Sequence, residues 1–517
     1  MTNPNGPQRV HIEQLKTGVP GLDEVLGGGL PEYSFNLIAG SPGTGKTTLT
    51  HQIMFNLATE EQPALHFTVL GEPAIKMLRY QQQFSFFDLA AVERRVRFVN
   101  LTEEVLRHDL SGVLDAIIRE VEQTSPGTVV VDSFRTIVRA ASNASANGAA
   151  SIDVPEFLQR LALHLTTWQT TSFLVGEYES NETQDNPMFT IADGLIWLYQ
   201  SVERNSSVRK MQVVKMRGQA PMPGMHTIRL TGDGVQVFPR IIRHTSESDR
   251  SSPHGGERLS TGVKDLDEML GGGIPGRDSV LVAGPSGSGK SSLAVEFVAA
   301  GLAKEEPAVI AVFEEKPKEY MERAKTLGPD LQQMVDRGLL EIIYLRPLDL
   351  SVDEALLEIQ SAVERMGATR LVIDSLSGFE LALAPTFQQD FRESLYRMIG
   401  ALTGNGLTVL MTAEVPLTFT GLELSPNLVS FLTDDIIMLR YVEIDSQLRK
   451  IITVVKARGS EHSQDIRMFE VTSHGLEIGE KPVDYEGLLT GVASRRARMA
   501  LNALEAAELR STQASQT

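Results

Sequence analysis

The chain has 517 residues, 48 Lys and Arg against 66 Asp and Glu, a formal charge of −18 and no cysteine. The acidic balance argues against coating nucleic acid or lying on anionic lipid, because both tasks need a basic face. The absent thiols exclude disulfides, thiolate zinc sites and a cysteine nucleophile. With 42% hydrophobic and 22% charged residues, the chain can bury real cores, and its length predicts two large units or three smaller ones. The start, MTNPNGPQRVHIEQ, is polar, and no apolar run approaches the ~20 residues of a membrane helix. A soluble cytoplasmic protein without a membrane partner is expected.

An internal repeat sets the organisation. LKTGVPGLDEVLGGGLPEYSFNLIAGSPGTGKTTL begins at Leu15 and LSTGVKDLDEMLGGGIPGRDSVLVAGPSGSGKSSL at Leu259, with Thr17 matching Thr261 and Lys46 matching Lys290. A spacing far beyond the ~20–50 residues of a solenoid repeat marks a duplicated domain. The first domain covers residues 1–243. A polar Ser/Gly/Pro-rich stretch at 244–258 reads as a linker, the second domain runs over 259–480, and 481–517 form a tail that ends in an Ala/Leu/Glu/Arg-rich helix.

In chain order, the first copy carries the apolar runs FNLIAG, ALHFTVL, RVRFVNL, TVVVDS and TSFLVGE, separated by amphipathic stretches. The second carries SVLVAG, AVIAVFE, LEIIYL, RLVIDS and LTVLMTA. Unbroken Val/Ile/Leu runs suit strands buried on both faces, so each copy reads as α/β with a mainly parallel sheet between helices.

The first run of each copy leads into G-x4-G-K-[ST]. The residues are Gly40, Ser41, Pro42, Gly43, Thr44, Gly45, Lys46 and Thr47, followed by Thr48, and then Gly284, Pro285, Ser286, Gly287, Ser288, Gly289, Lys290 and Ser291, followed by Ser292. Glycines let the backbone wrap phosphates and aim N–H groups inward at a helix N-terminus. Lys46 and Lys290 supply charge to the terminal phosphates of ATP, and the Thr47 and Ser291 hydroxyls hold Mg²⁺. A strand-end acid near the metal is expected at Asp132 and Asp374; an N-cap is the other reading of both.

A base must orient the attacking oxygen. AVIAVFEEKP offers Glu314 and Glu315, and repulsion between adjacent carboxylates can raise one of them toward a useful base, with Glu314 also near the metal; a solvated helix start is the bland reading. Aligning Pro73 with Pro317 sets Leu70 and Gly71 opposite that pair, with Glu72 one position late, so slow hydrolysis is expected in the first copy. Near the end of each copy a basic pair recurs: Lys215 and Arg217 in VVKMRG, and Lys456 and Arg458 in VVKARGSEH, which also carries His462. Such a pair can add charge at a neighbouring subunit's phosphates; an ordinary surface pair is the alternative.

Together the duplicated TGV-x2-LDE-x-LGGG opening, paired phosphate loops, FEE-x-P and K-x-RGS-x-H resemble the KaiC family over roughly residues 12–492. The resemblance implies two tandem RecA-like P-loop NTPase domains, a homohexamer with ATP and Mg²⁺ between subunits, and a second domain that phosphorylates its own hydroxyls across the interface. The implied acceptor is Ser430, with Ser425 or Thr433 as further positions; Phe431 stands where the family has a second acceptor, and Phe189 occupies the matching place in the first copy. Ala384 replaces a family arginine, Arg392 matches a basic position, and Pro221 stands opposite His462. The tail past Gly491 diverges, which leaves a KaiA-like activator in doubt; KaiB-like, response-regulator or histidine-kinase partners remain. Two other readings stay open: a RecA-like nucleic-acid motor, disfavoured by the acidic charge and by having 2 Trp and 9 Tyr, and a nucleotide-gated scaffold with weak catalysis.

Overall fold

The computed structural model describes residues 12–68, 74–107, 110–137, 153–179, 187–203, 206–240, 257–345, 350–383, 391–415, 432–490 and 493–495. The chain divides into two compact units, Met1–Arg240 and Ile241–Thr517. The expected linker falls mostly outside the described residues, as does the expected tail helix.

In the first lobe the apolar runs become β1 (Phe35–Gly40), β2 (Ala64–Thr68), β3 (Val96–Asn100), β4 (Thr128–Asp132) and β5 (Thr171–Glu177), followed by β6 (Gly194–Glu203), β7 (Ser206–Met216), β8 (His226–Thr231) and β9 (Gly234–Phe238). They form one sheet in the order β9-β8-β7-β6-β1-β5-β4-β2-β3. Pairing is parallel from β6 through β3 and antiparallel among β6 to β9. Alternate residues of β1 explain the two helix layers. Phe35, Leu37 and Ala39 pack with residues of Leu110–Thr124 and Val154–Thr167, whereas Ile38 faces Leu49 and Ile53 of α1 (Lys46–Leu57). A strand covered on both sides has no polar face to present, hence its unbroken apolar sequence.

The second lobe repeats this plan. Its strands are β10 (Ser279–Gly284), β11 (Ala308–Val312), β12 (Leu340–Tyr344), β13 (Arg370–Asp374), β14 (Thr408–Glu414), β15 (Asp435–Ile444), β16 (Gln447–Ala457), β17 (Arg467–Thr472) and β18 (Gly475–Ile478). Their order, β12-β11-β13-β14-β10-β15-β16-β17-β18, is that of the first lobe read from the other edge. The helices that matter below are α2 (Lys290–Leu302), α3 (Pro317–Lys325) and α4 (Leu376–Ala382).

One internal substitution between lobes is instructive. Arg370 opens β13 with its side chain fully buried, 2.9 Å from Glu306, and donates to the carbonyls of Ser260 and Phe297. Its room comes from Gly301 on α2, where a Cβ would lie 2.4 Å from Arg370 Nε. The first lobe has Thr128 and Leu57 at these places. A large residue has moved from helix to strand with the shared volume kept.

Candidate nucleotide sites

In an open α/β sheet, ligands bind beyond the carboxyl ends of the strands, where the chain leaves the first strand for neighbours on either side. β1 lies between β5 and β6, and β10 between β14 and β15, so both phosphate loops open at that point. Gly40 has φ +148°, and a Cβ there would meet the Leu198 carbonyl at 2.2 Å. Gly45 and Gly289 stand at φ +100° and +107° as the caps of α1 and α2. Side chains are disfavoured at these angles, and each loop feeds a helix N-terminus.

Lys46 Nζ donates to the carbonyls of Gly40 and Ser41 at 2.9 and 2.8 Å, and Lys290 Nζ to that of Pro285 at 2.8 Å. Burial lowers the pKa of both lysines; Glu177 and then Asp132 oppose this at Lys46, and Glu414, Asp374 and Glu314 oppose it at Lys290. Polyphosphate would give these ammonium groups the anionic partner that the loop carbonyls only approximate. Thr44 and Ser288 are fully buried within the loops, Thr48 is buried behind Thr47, and Ser291 and Ser292 begin α2 half-exposed.

The sequence places Asp132 and Asp374 at the metal position, and the structure puts each at the end of a strand separated from the loop strand by one neighbour. The residues fit Mg²⁺. Thr47 Oγ1 donates to Asp132 Oδ2 at 2.6 Å. In the second lobe Thr412 Oγ1 donates to Asp374 Oδ1 at 2.5 Å, and the buried Asp374 Oδ2 has no hydrogen-bond partner. Among the described residues no group of three or more His, Asp or Glu could hold a metal unaided. A hydroxyl, one carboxylate and substrate phosphates are the usual donors for magnesium.

The two adjacent glutamates have separate partners. Glu315 pairs with Arg323 of α3. Glu314 Oε1 accepts from Ser375 at 2.8 Å, and its stem fills the space above Gly378, where a Cβ would lie 2.7 Å from Glu314 Cγ. Glu314, after Glu414 and Asp374, adds to the negative charge that holds up the Lys290 pKa, while Glu315 is neutralised by a cation of its own lobe. Leu70, Gly71 and Glu72 lie outside the described residues.

Sequence reasoning passed over Glu177 and Glu414. Each ends the strand beside the loop strand, in register with Gly40 and Gly284 respectively, and each leads the charges that hold up the pKa of its loop lysine. An acid closing the same apolar run in both copies was the available signal. Tyr320 and Arg323 of α3 were also passed over. Tyr320 is fully buried, and burial first, then the Asp374 charge, pushes its pKa well up.

The basic pairs sit just past β-bulges. Register shifts between Leu195 and Ile196 and between Ile436 and Ile437, so β7 and β16 each gain one residue before the lysine. Lys215 donates to the Thr190 and Ala192 carbonyls and Lys456 to that of Thr433; burial lowers the pKa of both. Arg217 and Arg458 reach Asp193 and Asp434 at 2.9 and 3.0 Å. His462 lies half-exposed on the following loop. Ser425, Ser430 and Phe431 lie outside the described residues, as does Ala384. The Thr433 hydroxyl is fully buried and without a partner, and Phe189 packs against Trp197 and Tyr178.

A family model described as a KaiC ATPase matches residues 15–241 and again 259–483. The circadian clock oscillator protein KaiC of Prochlorococcus marinus (strain MIT 9313) is 26% identical over 95% of this chain and 97% of its own length. KaiC of Rippkaea orientalis is 28% identical over 94% of this chain and 92% of its own. KaiC 1 of Synechocystis sp. is 28% identical over 94% and 93%.

Proposed function

The chain belongs to the KaiC ATPase family, and from that premise we propose that it is a homohexameric ATPase and serine/threonine autokinase of a clock- or stress-type signalling system. The observation that carries the reading is Glu314, held by Ser375 over Gly378 with no cation among the described residues paired to it in the way Arg323 pairs with Glu315. A carboxylate so placed accepts the proton of an attacking hydroxyl or water, while Lys290 steadies the terminal phosphate and the loop amides cradle the rest. Mg²⁺, when bound by Ser291 and Asp374 or by Thr47 and Asp132, supplies charge to the phosphates. Lys215, Arg217, Lys456 and Arg458 act in trans, and His462 lines the second site. The acceptor is Ser430, with Ser425 or Thr433 as secondary positions; the Thr433 hydroxyl has to leave its buried place first.

The relatives are named circadian clock oscillator proteins; KaiB-like or response-regulator and histidine-kinase partners are part of the proposal through the sequence resemblance, and a KaiA-like activator is not proposed. The described residues contain no helix long and apolar enough to cross a membrane. Phosphosite mass spectrometry after incubation with Mg-ATP tests the kinase reading. Phosphate on Ser430 is expected, and ATP turnover with no phosphorylated hydroxyl would leave an ATPase alone.

A further inference from the structure

In both lobes a serine follows the strand-end aspartate, but its hydroxyl is used differently. In the second lobe Ser375 follows β13, and its Oγ accepts from the Gly378 backbone N–H at 3.0 Å and donates to Glu314 Oε1 at 2.8 Å. An amide N–H only donates and an ionised carboxylate only accepts, so the hydroxyl proton is committed to Glu314. In the first lobe Ser133 follows β4, and its hydroxyl instead meets that of Thr136 at 2.7 Å. Counted from Asp132 and Asp374, Thr136 and Gly378 occupy the same place. Gly378 lies within α4 without a left-handed φ, so the backbone does not require glycine there, and alanine is the better helix former. What requires glycine is Glu314: a Cβ at 378 would lie 2.7 Å from both its Cγ and its Oε1.

We propose that the residue at this place decides whether a lobe can hold a hydroxyl-anchored carboxylate at its site. Gly378 leaves Glu314 both its room and the Ser375 proton, whereas Thr136 brings a Cβ into that room and takes the serine hydroxyl for itself. Gly378 and Ser375 are positioning residues, which act on the reaction only through Glu314. This rests on the reading of Glu314 as the base. The Glu314 side chain is exposed, so a methyl at 378 turns it aside without straining the fold. The loss then falls on the proton-accepting step, where a well-placed base typically contributes ~10²–10⁴-fold, and not on nucleotide binding.

The test measures kcat and KM for Mg-ATP turnover by the full chain, with Gly378→Ala and Ser375→Ala each made alone and in a Glu314→Gln background. Gly378→Ala should lower kcat about tenfold or more, with KM and the melting temperature no worse than in wild type. Ser375→Ala keeps the room and loses only the proton, so its loss in kcat should be smaller. Behind Glu314→Gln neither change should cost anything further, because the group that both position is already disabled. If Glu314→Gln loses turnover and Gly378→Ala keeps it, the positioning role is wrong while the base stands. If Gly378→Ala costs as much behind Glu314→Gln as it does alone, or acts mainly by raising KM, it works through packing and the inference falls. Turnover untouched by Glu314→Gln would remove the base reading and the inference together.

Discussion

At the scale of single residues, the lobes bury different ionisable groups. His51 on α1 and His66 on β2 meet at 4.6 Å between ring centroids, both buried, and no ring nitrogen has a partner. Burial pushes the His51 pKa down from 6.5 to about 4 and holds His66 well below its usual range. A folded pKa below the unfolded one means that the unfolded chain binds more protons, so stability present above pH 6.5 is lost as pH falls toward 4. By the rule of about 1.4 kcal/mol per unit, His51 alone removes roughly 2 kcal/mol by pH 5. The second lobe has Val295 and Ile310 at these positions, so His51→Val with His66→Ile should flatten the fall in a denaturation series from pH 7 to 5.

Asp435 has the opposite sign. Burial first, then Asp278 and Asp434, push its carboxyl from 3.8 to about 7. Its folded pKa exceeds its unfolded one, so stability present at pH 3.8 is lost as pH rises through 7. Asp435→Asn should therefore melt higher than wild type at pH 8, with the gain gone near pH 4; an unchanged difference across that range would remove the titration from the account. The glutamate pair also separates at this scale. Glu314→Gln should lower turnover by ~10²–10⁴-fold, and Glu315→Gln much less, because Glu315 is already paired with Arg323. Equal losses in steady-state ATPase assays would count against Glu314 as the base.

At the scale of elements, the strands and phosphate loops were legible because each depends on local pattern. A strand covered on both faces must be apolar throughout, and a loop that wraps phosphate must be rich in glycine. The partners of these elements were not legible. That Glu314 goes to Ser375 while Glu315 goes to Arg323 depends on where β13 and α3 meet, and Glu177 gains meaning only from register with Gly40. Volume exchange between elements was equally hidden. Gly301→Ala gains about 1 kcal/mol of helix propensity but drives a methyl into the fixed Arg370 side chain, and overpacking typically costs about 1–3 kcal/mol. A net loss is expected in urea denaturation, and Arg370→Thr, the first-lobe residue, should restore part of it. Unaltered stability of Gly301→Ala would show that the guanidinium has room to shift.

At the scale of the whole molecule, two sites of one design are expected to divide their work. Lys46→Ala should impair nucleotide-driven assembly more than turnover, and Lys290→Ala the reverse, read by light scattering and ATPase assays on the same samples. Rings of Lys46→Ala that form but have lost most hydrolysis would reverse the assignment. The bulges on β7 and β16 bear on that assembly. They leave Arg217 and Arg458 bonded to Asp193 and Asp434 of their own lobe, so neither arginine reaches across a proposed interface as a free charge. Engaging a neighbour's phosphate is a change of partner, in which one ion pair opens as another closes. Added salt weakens both sides of such an exchange, whereas it weakens only the product when free charges combine. The ring should therefore form with little sensitivity to ionic strength, and Asp193→Asn with Asp434→Asn, which unbonds the arginines beforehand, should make its assembly salt-sensitive.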